Sequence, residues 1–326
     1  MTPSGIAVVV VNWNRSADTL ACLDSLATAA PGGRGEGGPA RVVVVDNGST
    51  DGSLEALESW RASHALPLSI LAAGSNRGFA GANNLGIASL TADPAITHFL
   101  LLNNDATVDP GFFAQVARAL VTAPGAGILG PTIYVTGQPG EVWYAGGHFV
   151  PLRALVVHDT AVPRGPAPIA TEFVTGCAML ISRRTWATLG PLPECYFIYL
   201  EDAEYCYRAR GAGLPVLYAP HAVAYHAVGA TVRRSVPGPR VEYWKARNRA
   251  LFVRRNFRAW TRWGALAYLA ATKPGRAFVE VLRGRPALGW AVLRGTAQGL
   301  LSKDGHRVIR QPPAVQHARD GVGVDD

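Results

Sequence analysis

Ile6-Ala7-Val8-Val9-Val10-Val11 runs without a polar residue into Asn12-Trp13-Asn14. A segment apolar at every position, not at alternate ones, fits a strand covered on both faces, as strands of parallel sheets are. The figure returns three times. Residues 42–45 lead into Asp46-Asn47-Gly48-Ser49, residues 68–71 are followed by Asn76-Arg77-Gly78, and residues 99–102 lead into Asn103-Asn104-Asp105. Helical stretches separate them. Ser16 caps a helix with Leu20, Leu23 and Leu26 on one face, Asp51 or Ser53 opens one carrying Leu54, Leu57 and Trp60, and residues 78–90 read as a glycine-rich turn entering a third. Asp109 as N-cap with Pro110 behind it starts a fourth, with Phe113, Val116 and Leu120 inward. The alternation predicts an α/β fold on a mainly parallel, doubly wound sheet.

Past residue 126 the pattern is mixed. Residues 128–135, 142–144, 171–174 and 178–182 read as strands, residues 201–210 as a helix stopped by Gly211 and Gly213, and residues 216–218 and 222–225 as two short strands. Beyond residue 233 the chain reads as helical, broken at Pro274 and Pro286. Charge divides along the same line: residues 1–232 carry 12 Lys/Arg against 17 Asp/Glu, and residues 233–310 carry 18 against 3. Three segments follow: a catalytic-type domain over 1–232, a basic amphipathic helical extension over 233–310, and a flexible tail over 311–326. With 48% hydrophobic and 17% charged residues, the 326-residue chain has ample material for a core. Four cysteines without a CxxC pair fit free thiols in a reducing compartment. No window approaches the roughly 18 apolar residues of a membrane span, and residues 1–5 lack the basic start of a secretory leader.

Ligands of open parallel sheets bind outside the carboxyl ends of the strands. Turn chemistry alone accounts for polar residues at one such edge; polar residues at all four point to a shared site. None of the four edges matches GxGxxG or GxxxxGK[ST], so a dinucleotide or Walker-type phosphate cradle is not supported. A shallow nucleotide site read by side chains remains, with Asp46 accepting from a base edge and Arg77 beside phosphate.

The blocks from Val8 to Asn14, Val44 to Ser53, Asn76 to Asn84, Phe99 to Asp109, Val174 to Trp186 and Phe197 to Arg210 resemble, in order, those of family 2 glycosyltransferases with the GT-A (Rossmann-like) fold, nearest the rhamnosyltransferase-like branch. The resemblance implies inverting transfer of a sugar from a nucleotide-diphosphate donor, dTDP-rhamnose or a UDP-sugar, to an acceptor hydroxyl. It implies Asp202 as catalytic base, opening the helix after residues 196–200. It implies a nucleotide-sugar site of Asn12, Asn14, Asp46, Asn76, Arg77, Asn103 and Asn104, and an acceptor side with Gly176, Cys177, Glu201 and Trp143. Asp105 and His226 are the implied ligands of a divalent cation, Mg²⁺ or Mn²⁺, with His221 as the competing imidazole. Asn103 stands where the DxD pattern has its first acid, which weakens the cation site. Trp143, Tyr144 and Gly146-Gly147 read equally well as a sugar platform or as a strand and turn, Glu204 reads as a surface residue, and nothing near Cys177 marks it as a nucleophile.

Tyr243, Trp244, Phe252, Phe257, Trp260, Trp263 and Tyr268 lie among the arginines of the extension. Aromatic and cationic residues together suit an anionic membrane surface. The expected partners are therefore a nucleotide-sugar donor, a lipid-linked or cell-envelope glycan acceptor and the inner face of the plasma membrane, reached from the cytoplasm. Two other readings stand beside this one: a nucleotide-sugar-binding pseudoenzyme that scaffolds a partner, and a nucleic-acid-binding protein acting through its basic segment.

Overall fold

Three strands with two apolar faces to hide, and a partly exposed edge strand, pair side by side. In the computed structural model, which describes residues 5–30, 37–227 and 238–303, they are β1 (Ile6–Asn12), β2 (Arg41–Asp46), β3 (Leu68–Ala72) and β4 (His98–Asn103). They run parallel in the order β3-β2-β1-β4, with Val8 to Val10 of β1 fully buried. Helices α1 (Ser16–Thr28), α2 (Ser53–Ser63) and α3 (Gly78–Leu90) make the crossovers. Ser16 is already the first helical residue, behind Arg15, and caps through no side-chain bond.

The second half adds β5 (Ala106–Val108), α4 (Phe112–Thr122), β6 (Ile128–Val135), β7 (Val142–Tyr144), a hairpin of β8 (Gly147–Val150) and β9 (Leu155–His158), β10 (Ile169–Ala170), β11 (Ala178–Ser182), α5 (Arg183–Leu189), α6 (Glu201–Gly211) and β12 (Val216–His226). Along the main path β10-β12-β6-β11-β4-β1-β2-β3, six of the eight strands point the same way. The exceptions are β10 and β11. The latter enters antiparallel between β4 and β6, and this insertion brings residues 175–177 to the carboxyl end of β4, where the Asn103 N–H donates to the Cys177 carbonyl at 2.8 Å.

Several local expectations shift. Asp109 sits outside α4: its Oδ1 accepts from the Gly111 N–H at 2.9 Å, and the helix begins at Phe112. Residues 171–174 form no strand, because their backbone is claimed elsewhere. The N–H groups of Glu172 and Phe173 both reach the Gly147 carbonyl, the Tyr144 hydroxyl donates to the Phe173 carbonyl, and the Val174 N–H meets Cys206 Sγ. The two short strands expected over 216–225 are one strand, β12, with an irregular register between Ala219 and Val223.

The last described helices are α7 (Gly238–Asn256), α8 (Ala259–Leu282) and α9 (Pro286–Leu301). Pro286 starts α9 as expected, but Pro274 lies inside α8. Both Pro274 and Ala270, whose carbonyl loses its partner, are exposed, so water can serve the freed group. The boundary read at residue 232 and the tail over 311–326 lie outside the described residues. On the far side of that boundary, Ala250, Leu251, Phe252, Val253 and Phe257 belong to the same core cluster as the sheet. Helix α9 seats on α7 through glycines: a Cβ at Gly299 would stand 2.1 Å from the Arg247 carbonyl oxygen and one at Gly295 2.4 Å from that of Tyr243.

Candidate active site

A cleft of about 1280 Å³ opens at the carboxyl edge of the sheet. Asn76, Asn103, Asn104, Asp105, Trp143, Gly176, Cys177, Glu201, Asp202 and His226 all line it, so most of the site residues read from sequence share one concavity. Asn12, Asn14, Asp46 and Arg77 are not among its lining residues. Asp46 is only 2% exposed and lies behind the wall: Oδ1 accepts from Asn12 Nδ2 at 2.9 Å and Oδ2 from the Ser49 N–H at 3.0 Å. Asn12 in turn accepts from Thr19, which accepts from Asn104 Nδ2 at 3.1 Å, while Asn14 Oδ1 takes the Thr50 N–H at 2.7 Å. The polar strand tips thus form a buried lattice that fixes the wall, in place of a set of free donors facing a base.

Asn47 and Trp13 reach the cleft instead. Asn47 Oδ1 accepts from the Arg77 N–H at 2.8 Å and its Nδ2 donates to Asn76 Oδ1 at 3.1 Å, joining the ends of β2 and β3. Both residues stand in the blocks quoted above, one position after a residue selected from them; alternation along an irregular strand end was the available signal. Phe79 and Tyr199, which stand inside the quoted blocks, and Trp244 of the basic extension also line the cleft and were not selected as site residues.

Asp105 follows β4 and His226 ends β12, and pairing of β5 with β12 sets them side by side, His226 Nε2 at 3.2 Å from Asp105 Oδ1. Both are buried. Burial works against a charge on the imidazole, the Asp105 carboxylate works for it, and the balance lifts His226 above its ordinary value. The donor set fits a divalent cation as a partial shell, one hard oxygen and one imidazole. Among the described residues no group of three or more such ligands occurs. His221, the competing imidazole, is exposed and lines a different depression with Gln115 and Arg118. Trp143 packs on His226 with ring centroids 4.5 Å apart, and burial pushes the Cys177 thiol up, which keeps it protonated.

Glu201 and Asp202 open α6. Asp202 Oδ2 accepts from the Gly176 N–H at 2.8 Å and Oδ1 from the Ala203 N–H at 2.7 Å. Enclosure raises its pKa and these backbone donors pull it back. Glu201 is 4% exposed, its Oε2 has no hydrogen-bond partner among the described residues, and burial beside Asp202 lifts it to about 8. The two carboxyl groups are therefore pushed apart, with Asp202 ionising first and Glu201 holding its proton at neutral pH. Leading into them, Phe197, Tyr199 and Leu200 have φ of 65°, 73° and 72°. A left-handed non-glycine residue costs about 1–3 kcal/mol, so three in a span of four need support. Gly78 approaches this loop from the donor side, where a Cβ would stand 2.3 Å from the Phe197 carbonyl oxygen.

Glu204, expected at the surface, is fully buried. Arg255 of α7 grips it through Nε and Nη2, both at 2.8 Å, Tyr196 donates at 2.6 Å, and Asn256 at 3.1 Å. Burial raises the Glu204 pKa, and the bonds from Arg255 outweigh it and bring the carboxyl below its usual value.

A mixed sheet with this cleft at its carboxyl edge is the GT-A architecture. The chain belongs to glycosyl transferase family 2, whose sequence model matches residues 7–184, just over half of its length. An N-acetylglucosaminyl-diphospho-decaprenol L-rhamnosyltransferase of Mycobacterium tuberculosis is 28% identical over 211 residues, which cover 58% of this chain and 66% of that relative, slightly less than two thirds of its length. A dTDP-rhamnosyl transferase, RfbF, of Shigella flexneri is 22% identical over 225 residues, covering 66% of this chain and 71% of that one. Among solved structures, the mannosyltransferase PcManGT of Pyrobaculum calidifontis, in complex with GDP-Man and Mn²⁺, matches with a TM-score of 0.56 at 18% identity, over 91% of this chain and 87% of that one. That likeness bears on the fold. Asp202 and His226 lie beyond the matched family segment.

Proposed function

We propose that this chain transfers a hexosyl or rhamnosyl group, with inversion, from dTDP-rhamnose or a UDP-sugar to a hydroxyl of a lipid-linked or cell-envelope glycan. The carrying observation is that Asp105 and His226 share one cleft with Asp202 and Glu201. In this reading the acceptor oxygen attacks the anomeric carbon as its proton passes to Asp202, and the bond from that carbon to the diphosphate breaks on the opposite side. Asp105 and His226 would hold a Mg²⁺ or Mn²⁺ ion, which supplies charge to the leaving diphosphate. The Gly176 N–H and the Ala203 N–H orient the base, and protonated Glu201 offers the acceptor a hydrogen bond. The rhamnosyltransferases among the relatives support the sugar class.

The test is a thermal-shift screen of dTDP-rhamnose, UDP-glucose and UDP-N-acetylglucosamine, each with and without Mn²⁺, followed by a transfer assay with the donor that stabilises. Binding at one hundred times Kd raises stability by about 2.7 kcal/mol, so a true donor gives a clear shift. Stabilisation by Mn²⁺ and donor together followed by transfer supports the reading. Binding without transfer to any lipid-linked acceptor makes the protein a scaffold.

The same proposal places the enzyme at the cytoplasmic face of a membrane. Among the described residues no helix is long and apolar enough to cross one. Helices α8 and α9 instead leave Trp260 88% exposed, with Trp263, Phe278, Leu282, Trp290 and Leu301 also in solvent. Arg294 on α9 is exposed, as are Arg258, Arg283 and Arg285 at the ends of the two helices. Apolar rings flanked by arginines suit an anionic headgroup layer. The nucleic-acid reading draws less support, because Arg247, Arg249, Arg254 and Arg255 of α7 turn to protein carbonyls and carboxylates. Replacing Trp260 and Trp263 with serine is expected to lower binding to phosphatidylglycerol vesicles several-fold while leaving the donor-induced thermal shift unchanged. Sedimentation with vesicles at wild-type level would remove the anchoring claim.

A further inference from the structure

The loop over 195–200 delivers the acidic pair into the cleft, and its backbone is held from α7. Asn248, wholly buried, points its amide into the loop: Nδ2 lies 3.0 Å from the Tyr196 carbonyl oxygen, 2.7 Å from that of Ile198 and 3.0 Å from that of Tyr199. Two N–H bonds thus serve three carbonyls that converge on one point. Arg247 Nη1 donates to Asn248 Oδ1 at 2.8 Å, which fixes the amide the right way round, and to the Cys195 carbonyl at 2.8 Å. The same three-residue stretch carries the left-handed conformations at Tyr199 and Leu200, with Phe197 before them. At the other end the Phe197 carbonyl accepts from the Phe79 N–H at 2.8 Å, at the start of α3, and the Leu200 carbonyl accepts from the Glu204 N–H at 2.9 Å. Carbonyls crowded about a single centre repel one another unless a donor sits between them, and a buried carbonyl without a donor is costly.

We propose that Asn248, oriented by Arg247, is a positioning residue for sugar transfer: it clamps the loop over 195–200 in the strained form that presents Glu201 and Asp202 to the cleft. The inference rests on Asp202 as the base, and it extends the working site to a helix outside the matched family segment. Asn248 touches no reacting atom. It acts through backbone geometry, so its loss lowers the rate of the proton-accepting step and not donor capture at Asp105 and His226.

The test compares Asn248→Ala and Asn248→Asp with wild type and Asp202→Asn, all full length, in transfer kinetics against pH and in hydrogen exchange. Asn248→Asp keeps the size but removes both N–H donors. The expected result is a fall in kcat of at least tenfold in both variants with donor KM within twofold, and a displaced acid limb of the kcat profile. The expected exchange result is faster exchange confined to the amides of residues 197–204. A folded variant with wild-type kcat and acid limb overturns the proposal. So does a loss of rate matched by faster exchange throughout the sheet, or failure of both variants to fold, since each makes Asn248 a stability residue. Full activity in Asp202→Asn is a separate outcome, which removes the base assignment and the clamp's purpose with it.

Discussion

Asp202→Asn is expected to cut kcat for sugar transfer by about 10²–10⁴, the usual worth of a positioned general base, with donor affinity unchanged. Asparagine keeps the shape and can still accept from the Gly176 N–H, but it cannot take a proton from the attacking hydroxyl. The pH dependence has a definite sign. Enclosure raises Asp202 above its ordinary value of 3.8, and three backbone N–H donors limit the rise, so activity climbs with pH as this carboxyl ionises. Glu201 keeps its proton to about 8, which spares Asp202 a second negative charge across the neutral range. Transfer assays from pH 4 to pH 9 with wild type and variant check this. An acid limb that persists unchanged in Asp202→Asn, with turnover to match, would assign the base elsewhere.

Arg255→Met is expected to cost roughly 3–5 kcal/mol of stability, the penalty for leaving one member of a buried pair uncompensated. Glu204 has no exposure at all, and without Arg255 its remaining donors are Tyr196 and Asn256. The double variant Glu204→Gln with Arg255→Met should recover much of the loss, because it removes the stranded charge. Urea unfolding of the three proteins measures this, and a loss below 1 kcal/mol in Arg255→Met would show that Glu204 finds solvent. The linkage runs in the acid direction. Glu204 is held below its ordinary 4.5 in the folded protein, so its contribution is present above that value and is lost as pH falls through the folded one.

Much of the fold could be read from local pattern. The runs at β1, β2 and β4 are apolar at successive positions, and α3 begins and ends where its glycine-rich start and Leu90 placed it. What local pattern does not carry is strand order. Nothing in Ala178-Met179-Leu180-Ile181-Ser182 says that it lies antiparallel between β4 and β6, although that insertion joins the cation side of the cleft to the acceptor side. Glu204 looked like a surface acid because its partner lies 51 residues further on, and the arginines of α7 were read with the rest of the extension as facing an anionic surface for the same reason. Within the site, Asp105, Glu201, Asp202 and His226 were legible as residues and converge in space, whereas Asp46 lies behind the wall and the equally buried Asn47 beside it is the one that lines the cleft. A turn sequence names the polar residues at a sheet edge, but which of two neighbours faces outward depends on a backbone twist that it does not encode.

The glycine seam between α7 and α9 acts as a keyed joint. A methyl group at Gly295 or Gly299 would strike main-chain oxygen, so the missing side chain at both positions is what lets α9 sit this close to α7. Because α7 also bears Asn248, the ridge that exposes Trp290 and Leu301 is held at a constant offset from the acidic pair. If the ridge rests on a membrane as proposed, this offset sets the height at which an acceptor hydroxyl would have to stand to reach the acidic pair.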